Sequence, residues 1–264
     1  MYSKGDKRMN RTKIEWADFT WNVMTGCLHG CDYCYARRIV KRFPHIYPQG
    51  FEPTFHESRL AQPASVKRPS RVFVCSMADL FGDWVPTSQI SAVVEACAAA
   101  PWHDYMFLTK NSRRYADLYH ADLPALRPLF AGTNMWLGVT ATGSSMSEGV
   151  YWAGRGWVVD KLPAHTNLFL SVEPLLGPVH IPQEGIDWVI VGPQTGPGAV
   201  KPEPAWVDHV ADQCTAAGIP LFMKVALYGK RFAVVDTDEP MLYHEIMERA
   251  AAEYKAKGGC QHGG

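Results

Sequence analysis

Three thiols fall within eight residues: Cys27, Cys31 and Cys34, in the stretch TGCLHGCDYCYARR at 25–38, with Tyr33 directly before the last. Thiolates hold zinc and iron–sulfur clusters. The chain has seven cysteines, an uneven set with three clustered, which fits metal binding or catalysis better than a disulfide framework. A closed structural zinc site takes four ligands, and no second closely spaced cysteine pair follows. His29, Cys75 or Cys214 would have to supply the fourth. A four-iron cube takes one ligand on each iron, so three cysteines leave one iron open to another molecule. On residue types alone both metals stay open. Cys75, Cys97 and Cys214 stand in apolar or helical settings and read as packing residues.

A loop of this kind has to be presented by a scaffold. Apolar runs rich in Val, Phe and Leu, without clean alternation, predict buried parallel strands at RVFVCS (71–76), YMFLTK (105–110), WLGVTA (136–141), NLFLSVEP (167–174), DWVIVG (187–192) and PLFMKV (220–225). FTWNVMTGC adds one ahead of them. Helices are predicted between the strands at about 87–99, 111–120, 148–160 and 204–217, the first with Ile90, Val93, Val94 and Cys97 on a core-facing stripe. Strands alternating with helices predict an α/β fold with a parallel sheet, open or rolled into a barrel. In either form, function gathers where the strands end. Those ends carry Cys27, Cys31 and Cys34; Ser76, Met77 and Asp79; Lys110 and Asn111; Thr140 and Thr142; Glu173; the loop GPQTGPG at 192–198; and Lys224. Ser76, Asn111 and Thr142 are also helix-capping types, so capping and ligand contact are both open for them. Lys110, Glu173 and Lys224 are not. The glycine loop lacks the Lys-Ser/Thr of a P-loop and the GxGxxG spacing.

At 264 residues and 47 % hydrophobic content, the chain can fill the core of one large domain or two small ones. No run of eighteen apolar residues and no leader-like stretch occurs, so the expectation is a cytoplasmic protein with no membrane partner. The formal net charge is zero, but residues 1–132 hold 17 basic against 12 acidic side chains and residues 133–264 hold 9 against 14. The helix predicted over YARRIVKRF would bury Ala36, Ile39, Val40 and Phe43 and expose Arg37, Arg38, Lys41 and Arg42. With Lys67, Arg68, Arg71, Arg113 and Arg114, these form either a phosphate-contacting surface or ordinary solvated faces. Trp84 and Trp102 read as base-stacking platforms or as core. The predicted division is an N-terminal extension at 1–13, a main domain at 14–235 and a C-terminal helix and tail at 236–264. The main domain holds an insertion at 44–70, with five prolines, that would cover the site or contact the substrate.

The spacing Cys27-x3-Cys31-x2-Cys34, placed after the first predicted strand, resembles the motif of the radical S-adenosylmethionine (SAM) superfamily. KIEWADFTWNVMTGC, FVCSMADLFGDWVP, FLTKN, LGVTA, LSVEPLLGPV, DWVIVG and AAGIPLFMK resemble successive blocks of a phage-associated radical SAM family without an established substrate. That family is similar in outline to spore photoproduct lyase. The resemblance implies a partial (β/α)6 TIM-like barrel and a [4Fe-4S] cluster held by Cys27, Cys31 and Cys34, with the open iron taking the amino and carboxylate groups of SAM. It implies reductive cleavage of SAM to a 5′-deoxyadenosyl radical that takes hydrogen from a substrate. A flavodoxin or ferredoxin would be the reductant, and a nucleic acid base or nucleotide the preferred substrate class. Tyr33 would then pack near the adenine. Asp79 would face the methionyl ammonium, with Ser76 and Met77 nearby and Thr140 a further cofactor contact. Lys110 would meet the SAM carboxylate or a substrate phosphate, Glu173 would accept from ribose hydroxyls, and Lys110, Glu173 and Lys224 would form the catalytic group. The chain departs from its relatives twice. Gly192, Pro193, Gln194, Thr195 and Gly196 stand where Gly-Gly-Glu-Ser-Gly is usual, and KVALYGK keeps Lys224 without the usual Gln-Trp.

Overall fold

Short apolar segments without alternation are buried on both faces when they pair in parallel, and Val72, Phe73 and Val74 are buried in this way. The computed structural model describes residues 8–131, 133–143 and 162–228. The helix predicted at 148–160 and the tail predicted at 236–264 lie outside them. The chain divides into two units, Met1–Thr140 with Arg155–Phe169, and Ala141–Gly154 with Leu170–Gly264.

In the first unit, β1 (Asn10–Arg11) pairs antiparallel with β2 (Phe19–Trp21), so two residues of the predicted extension form a sheet edge. The expected single strand over FTWNVMTGC is broken. After β2 come Asn22 and Val23, then β3 (Met24–Thr25). The Asn22 side-chain oxygen accepts from Ser76 Oγ at 3.1 Å and from the Met77 backbone N–H at 3.0 Å. Its backbone carbonyl accepts from Arg59 Nη1 at 2.8 Å, so the backbone here leaves the sheet ladder.

Helix α1 (Tyr35–Arg42) follows, then β4 (Thr54–Phe55) and α2 (Gln62–Ser65). The insertion expected at 44–70 is therefore structured, because β4 pairs antiparallel with β3 in the register Met24↔Phe55 and Thr25↔Thr54. The main sheet continues with β5 (Arg71–Val74), β6 (Asp104–Thr109) and β7 (Met135–Thr140), in the order β1-β2-β5-β6-β7, and β2, β5, β6 and β7 are mutually parallel. Helix α3 (Thr87–Ala98) buries the predicted residues Ile90, Val93, Val94 and Cys97. Helix α4 (Arg113–His120) buries Tyr115, whose hydroxyl donates to the Gly138 carbonyl at 3.0 Å.

The burial predicted for α1 needs correction. Ala36 and Val40, one turn apart, pack with Met77 against Cys34, Tyr47 and Phe51, while Ile39 and Phe43 are each 37 % exposed. The contact is one residue wide per turn, so the line through Tyr35, Ile39 and Phe43 faces outward.

Strand β8 (Asn167–Val172) has its first three residues in the first unit and its last three in the second. The second unit adds β9 (Trp188–Val191), α5 (Pro204–Ala217), β10 (Leu221–Met223) and α6 (Val225–Tyr228). β9 and β10 are parallel, with Val191 opposite Met223. The ends of α5 match the sequence: Pro204 opens it, and Gly218, at φ 68°, closes it in the left-handed conformation. Among the described residues no helix is long and apolar enough to cross a membrane.

Candidate functional site

The three thiols lie on the loop between β3 and α1, and Gly26 lets that loop turn. Gly26 has φ 87°, and a Cβ there would stand 2.2 Å from the Glu52 carbonyl oxygen and 2.7 Å from that of Phe51. The insertion holds one side of the loop. The Cys27 N–H donates to the Phe51 carbonyl at 3.1 Å, the His56 N–H to the Val23 carbonyl at 2.8 Å, and Thr25 Oγ1 lies 2.9 Å from His56 Nε2. The segment after β5 holds the other side, where the Gly26 N–H donates to the Met77 carbonyl at 3.0 Å. Cys34 is the N-cap of α1, and its sulfur accepts from the Arg37 N–H at 3.4 Å.

All three thiols are partly exposed and none is in a disulfide. Burial pushes the Cys27 thiol up to about 11. The His29 backbone N–H opposes this, while the charge of Asp79 and the neighbouring Cys31 and Cys34 add to it. The donor set suits an iron–sulfur cluster or a thiophilic ion: three thiols on one loop, with Cys27 within electrostatic reach of the other two. Among the described residues no group of three or more His, Cys, Asp or Glu side chains is gathered around a metal position.

Asp79 is the hub behind the loop. It is 5 % exposed. Its Oδ1 accepts from the Phe81 N–H at 3.0 Å and from Thr109 Oγ1 at 2.8 Å. Its Oδ2 accepts from the Lys110 N–H at 2.9 Å and pairs with His29 Nε2 at 2.7 Å. The contact expected between Asp79 and a methionyl ammonium would require one of these donors to leave. His29, named from the sequence as a candidate fourth zinc ligand, thus ties the cysteine loop to the ends of β5 and β6. Its ring also meets Trp84 edge-on, with centroids 4.9 Å apart.

The other predicted residues of this unit are accounted for in turn. Lys110 Nζ stands 5.2 Å from the centre of the Tyr33 ring, a cation–π contact that brings two predicted site residues together across two loops. Ser76 donates its hydroxyl to Asn22, and Tyr35 donates its own to the Ser76 carbonyl. Met77 is buried beneath α1. Asn111 does not cap α4. Its side-chain amide donates to the Phe81 carbonyl at 3.0 Å and to Asp83 Oδ1 at 2.8 Å, bracing the same β5 loop. Thr140 ends β7 and is half-buried. Trp102 is held by a bond from its Nε1 to the Val66 carbonyl at 2.8 Å, with Lys67 over its ring.

In the second unit, Glu173 and Lys224 form an ion pair at the ends of β8 and β10. Gly192, at the end of β9, makes room for it. A Cβ there would lie 2.8 Å from Lys224 Cδ and 3.0 Å from Glu173 Cδ. In the divergent loop, Gln194 Oε1 accepts from the Val200 N–H at 3.0 Å, closing the loop on itself. Thr142 is fully buried and its carbonyl accepts from the Leu176 N–H at 2.7 Å.

Sequence reasoning missed Asn22 and His56, and named His29 only as a candidate zinc ligand, not for its bond to Asp79. Each works through a partner 31 or more residues away. The one local signal was the position of His29 between two cysteines.

A family model described as "Protein of unknown function (DUF5131)" matches residues 11–252. No curated protein matches the chain. Among solved structures it is similar to a single-residue mutant of spore photoproduct lyase, at 13 % identity over 80 % of this chain and 54 % of that one, with a TM-score of 0.47. It is also similar to a double mutant of that lyase with bound AdoMet and dinucleoside spore photoproduct (14 % identity, 80 % of this chain, 54 % of that one, TM-score 0.46). A third is the lyase complexed with dinucleoside spore photoproduct (15 % identity, 70 % and 58 %, TM-score 0.46). The chain spans little more than half the length of these structures.

Proposed function

The chain belongs to the DUF5131 family, a family of unknown function, and since that name assigns no reaction we propose from the chain's own residues that it is a radical SAM enzyme. The observation that carries this reading is the trio Cys27, Cys31 and Cys34, free thiols in the Cys-x3-Cys-x2-Cys spacing on one loop. That loop is laid against the segments that follow parallel strands β5 and β6. A [4Fe-4S] cluster on these thiols, with SAM at its open iron, would supply one-electron cleavage of the sulfonium to a 5′-deoxyadenosyl radical.

The protein's part is to bind and orient. Cys27, Cys31 and Cys34 are the ligands. Tyr33 offers a ring for the adenine, and Lys110, held over that ring, offers a cation for the SAM carboxylate or a substrate phosphate. Ser76 and Thr140 line the approach from β5 and β7, and Met77, buried beneath α1, backs it. Glu173 accepts from ribose hydroxyls, and Lys224 steadies it or meets an anionic group. The sheet is part of a partial (β/α)6 barrel over 14–235, working in the cytoplasm, where thiols stay reduced. A flavodoxin or ferredoxin is the reductant. The basic helix α1, with Arg37, Lys41 and Arg42 exposed, favours a nucleotide or nucleic acid base as substrate.

The test is anaerobic reconstitution with iron and sulfide, reduction, addition of SAM and detection of 5′-deoxyadenosine by mass spectrometry, beside a Cys27/Cys31/Cys34→Ala triple variant. Product that needs the thiols supports the reading. A reduced cluster that yields no 5′-deoxyadenosine leaves a noncatalytic iron–sulfur protein, and zinc in place of iron leaves a structural zinc site.

A further inference from the structure

We propose that His29 is a positioning residue that Asp79 holds in place so that the cysteine loop is set for metal uptake. This rests on the thiols being metal ligands, as in the proposed function.

An ionised carboxylate offers about four lone-pair sites. Those of Asp79 are matched by four donors: the Phe81 N–H, the Thr109 hydroxyl, the Lys110 N–H and His29 Nε2. The first three come from the β5 and β6 loops and fix the carboxylate before the cysteine loop is considered. The carboxylate only accepts, so His29 donates its Nε2 proton to it, and a bond from a donor to a buried charge is of the stronger class. Asp79 thus has no capacity left for another ligand and acts through His29.

The ring is held a second way. Trp84 meets it edge-on, and Trp84 is itself fixed over Gly82, where a Cβ would lie 2.3 Å from the indole. His29 lies between Cys27 and Cys31, and its backbone N–H faces the Cys27 sulfur. Anchoring the His29 side chain therefore sets the direction of that N–H and the path of the chain between two thiols. A carboxylate–histidine pair beside a metal site usually has the histidine as ligand. Here the imidazole edge that would bind a metal through Nε2 is turned to Asp79, and the thiols remain as ligands.

The experiment uses the full chain, reconstituted anaerobically with iron and sulfide, and follows iron release to an excess of a coloured iron chelator at fixed pH. Thermal midpoints of the metal-free proteins are read in parallel. His29→Ala is expected to release iron on the order of 10–100-fold faster, the usual cost of losing an outer partner of a metal site. His29→Gln, whose amide N–H can reach Asp79, is expected to restore slow release. Trp84→Phe, which keeps a ring against His29, is expected to stay close to the parent. Wild-type release from His29→Ala overturns the proposal, as does fast release from both His29 variants in proportion to a lowered thermal midpoint. The Cys27/Cys31/Cys34→Ala variant separates the two readings. If it keeps iron as the parent does, the metal site itself falls; if it loses iron while His29→Ala does not, only the positioning role falls.

Discussion

Gly26 decides whether the thiol loop can exist in its observed form. Its φ of 87° is costly for any L side chain, and the nearest atoms to a new Cβ would be backbone carbonyls, which cannot swing aside. Gly50 has a similar φ, 64°, with nothing within 4 Å of its notional Cβ. Gly50→Ala should therefore lose only the conformational part, roughly 1–2 kcal/mol. Gly26→Ala should lose more and also impair iron retention, both read by thermal melts and iron content; equal losses at the two positions would remove the argument from close approach. Cys27 gives a second residue-level expectation. With its thiol pushed up to about 11, the metal-free protein should alkylate there slowly near pH 8. The rate should climb about tenfold per pH unit to around pH 11, since the thiolate is the nucleophile. Peptide mass spectrometry after timed iodoacetamide labelling checks this, and a plateau below pH 9 would contradict it. The cysteines were legible because their spacing is local. Asp79 was legible as a strand-end carboxylate, but its saturation was not, since three of its four donors come from Thr109, Lys110 and His29, 30 to 50 residues away.

Among the elements, α3 and α1 show when periodicity can be trusted. On α3, the stripe of Ile90, Val93, Val94 and Cys97 is buried as its spacing predicts, because α3 spans three turns. On α1, eight residues long, the same kind of stripe predicted burial of Ile39 and Phe43, yet both are exposed. A short helix anchored at Cys34 needs only Ala36 and Val40 to dock. Ile90→Ala should thus cost about 2–5 kcal/mol, the range for emptying a filled site, whereas Ile39→Ala should stay within about 0.5 kcal/mol. Urea unfolding of the two variants measures the contrast, and equal losses would restore the burial pattern that the sequence suggests. Strands β5 to β10 were legible to within two residues or so at each end, as their apolar runs dictate. The break at Asn22 was not, because an asparagine in a strand pattern says nothing about the Ser76 and Met77 groups it will hold.

For the whole molecule, formal charges balance and the sequence pI is about 7.1. A protein near zero net charge has little mutual repulsion, so solubility should pass through a minimum near pH 7 and recover on either side, at pH 6 and pH 8.5. Light scattering across that range at low salt checks it, and a flat profile would show that the balance of formal charge does not govern association. The alternation of strands and helices disclosed the α/β class at this scale. The pairing of β3 with β4 stayed hidden, because two-residue strands leave no periodicity to read. That small pairing also bears on how the chain is made. Thr25 and His56, which meet across the clamp, are 31 residues apart, so at about 5–20 residues per second the thiols emerge from the ribosome some seconds before the segment that pins them. During that interval Cys27, Cys31 and Cys34 sit on an untethered stretch, and a cross-link between any two would be sealed in as the clamp closes. The insertion at 44–70 thus reaches the thiol loop only after the thiols have been made, and the segment after β5, which holds the loop's other side through Met77 and Asp79, arrives later still.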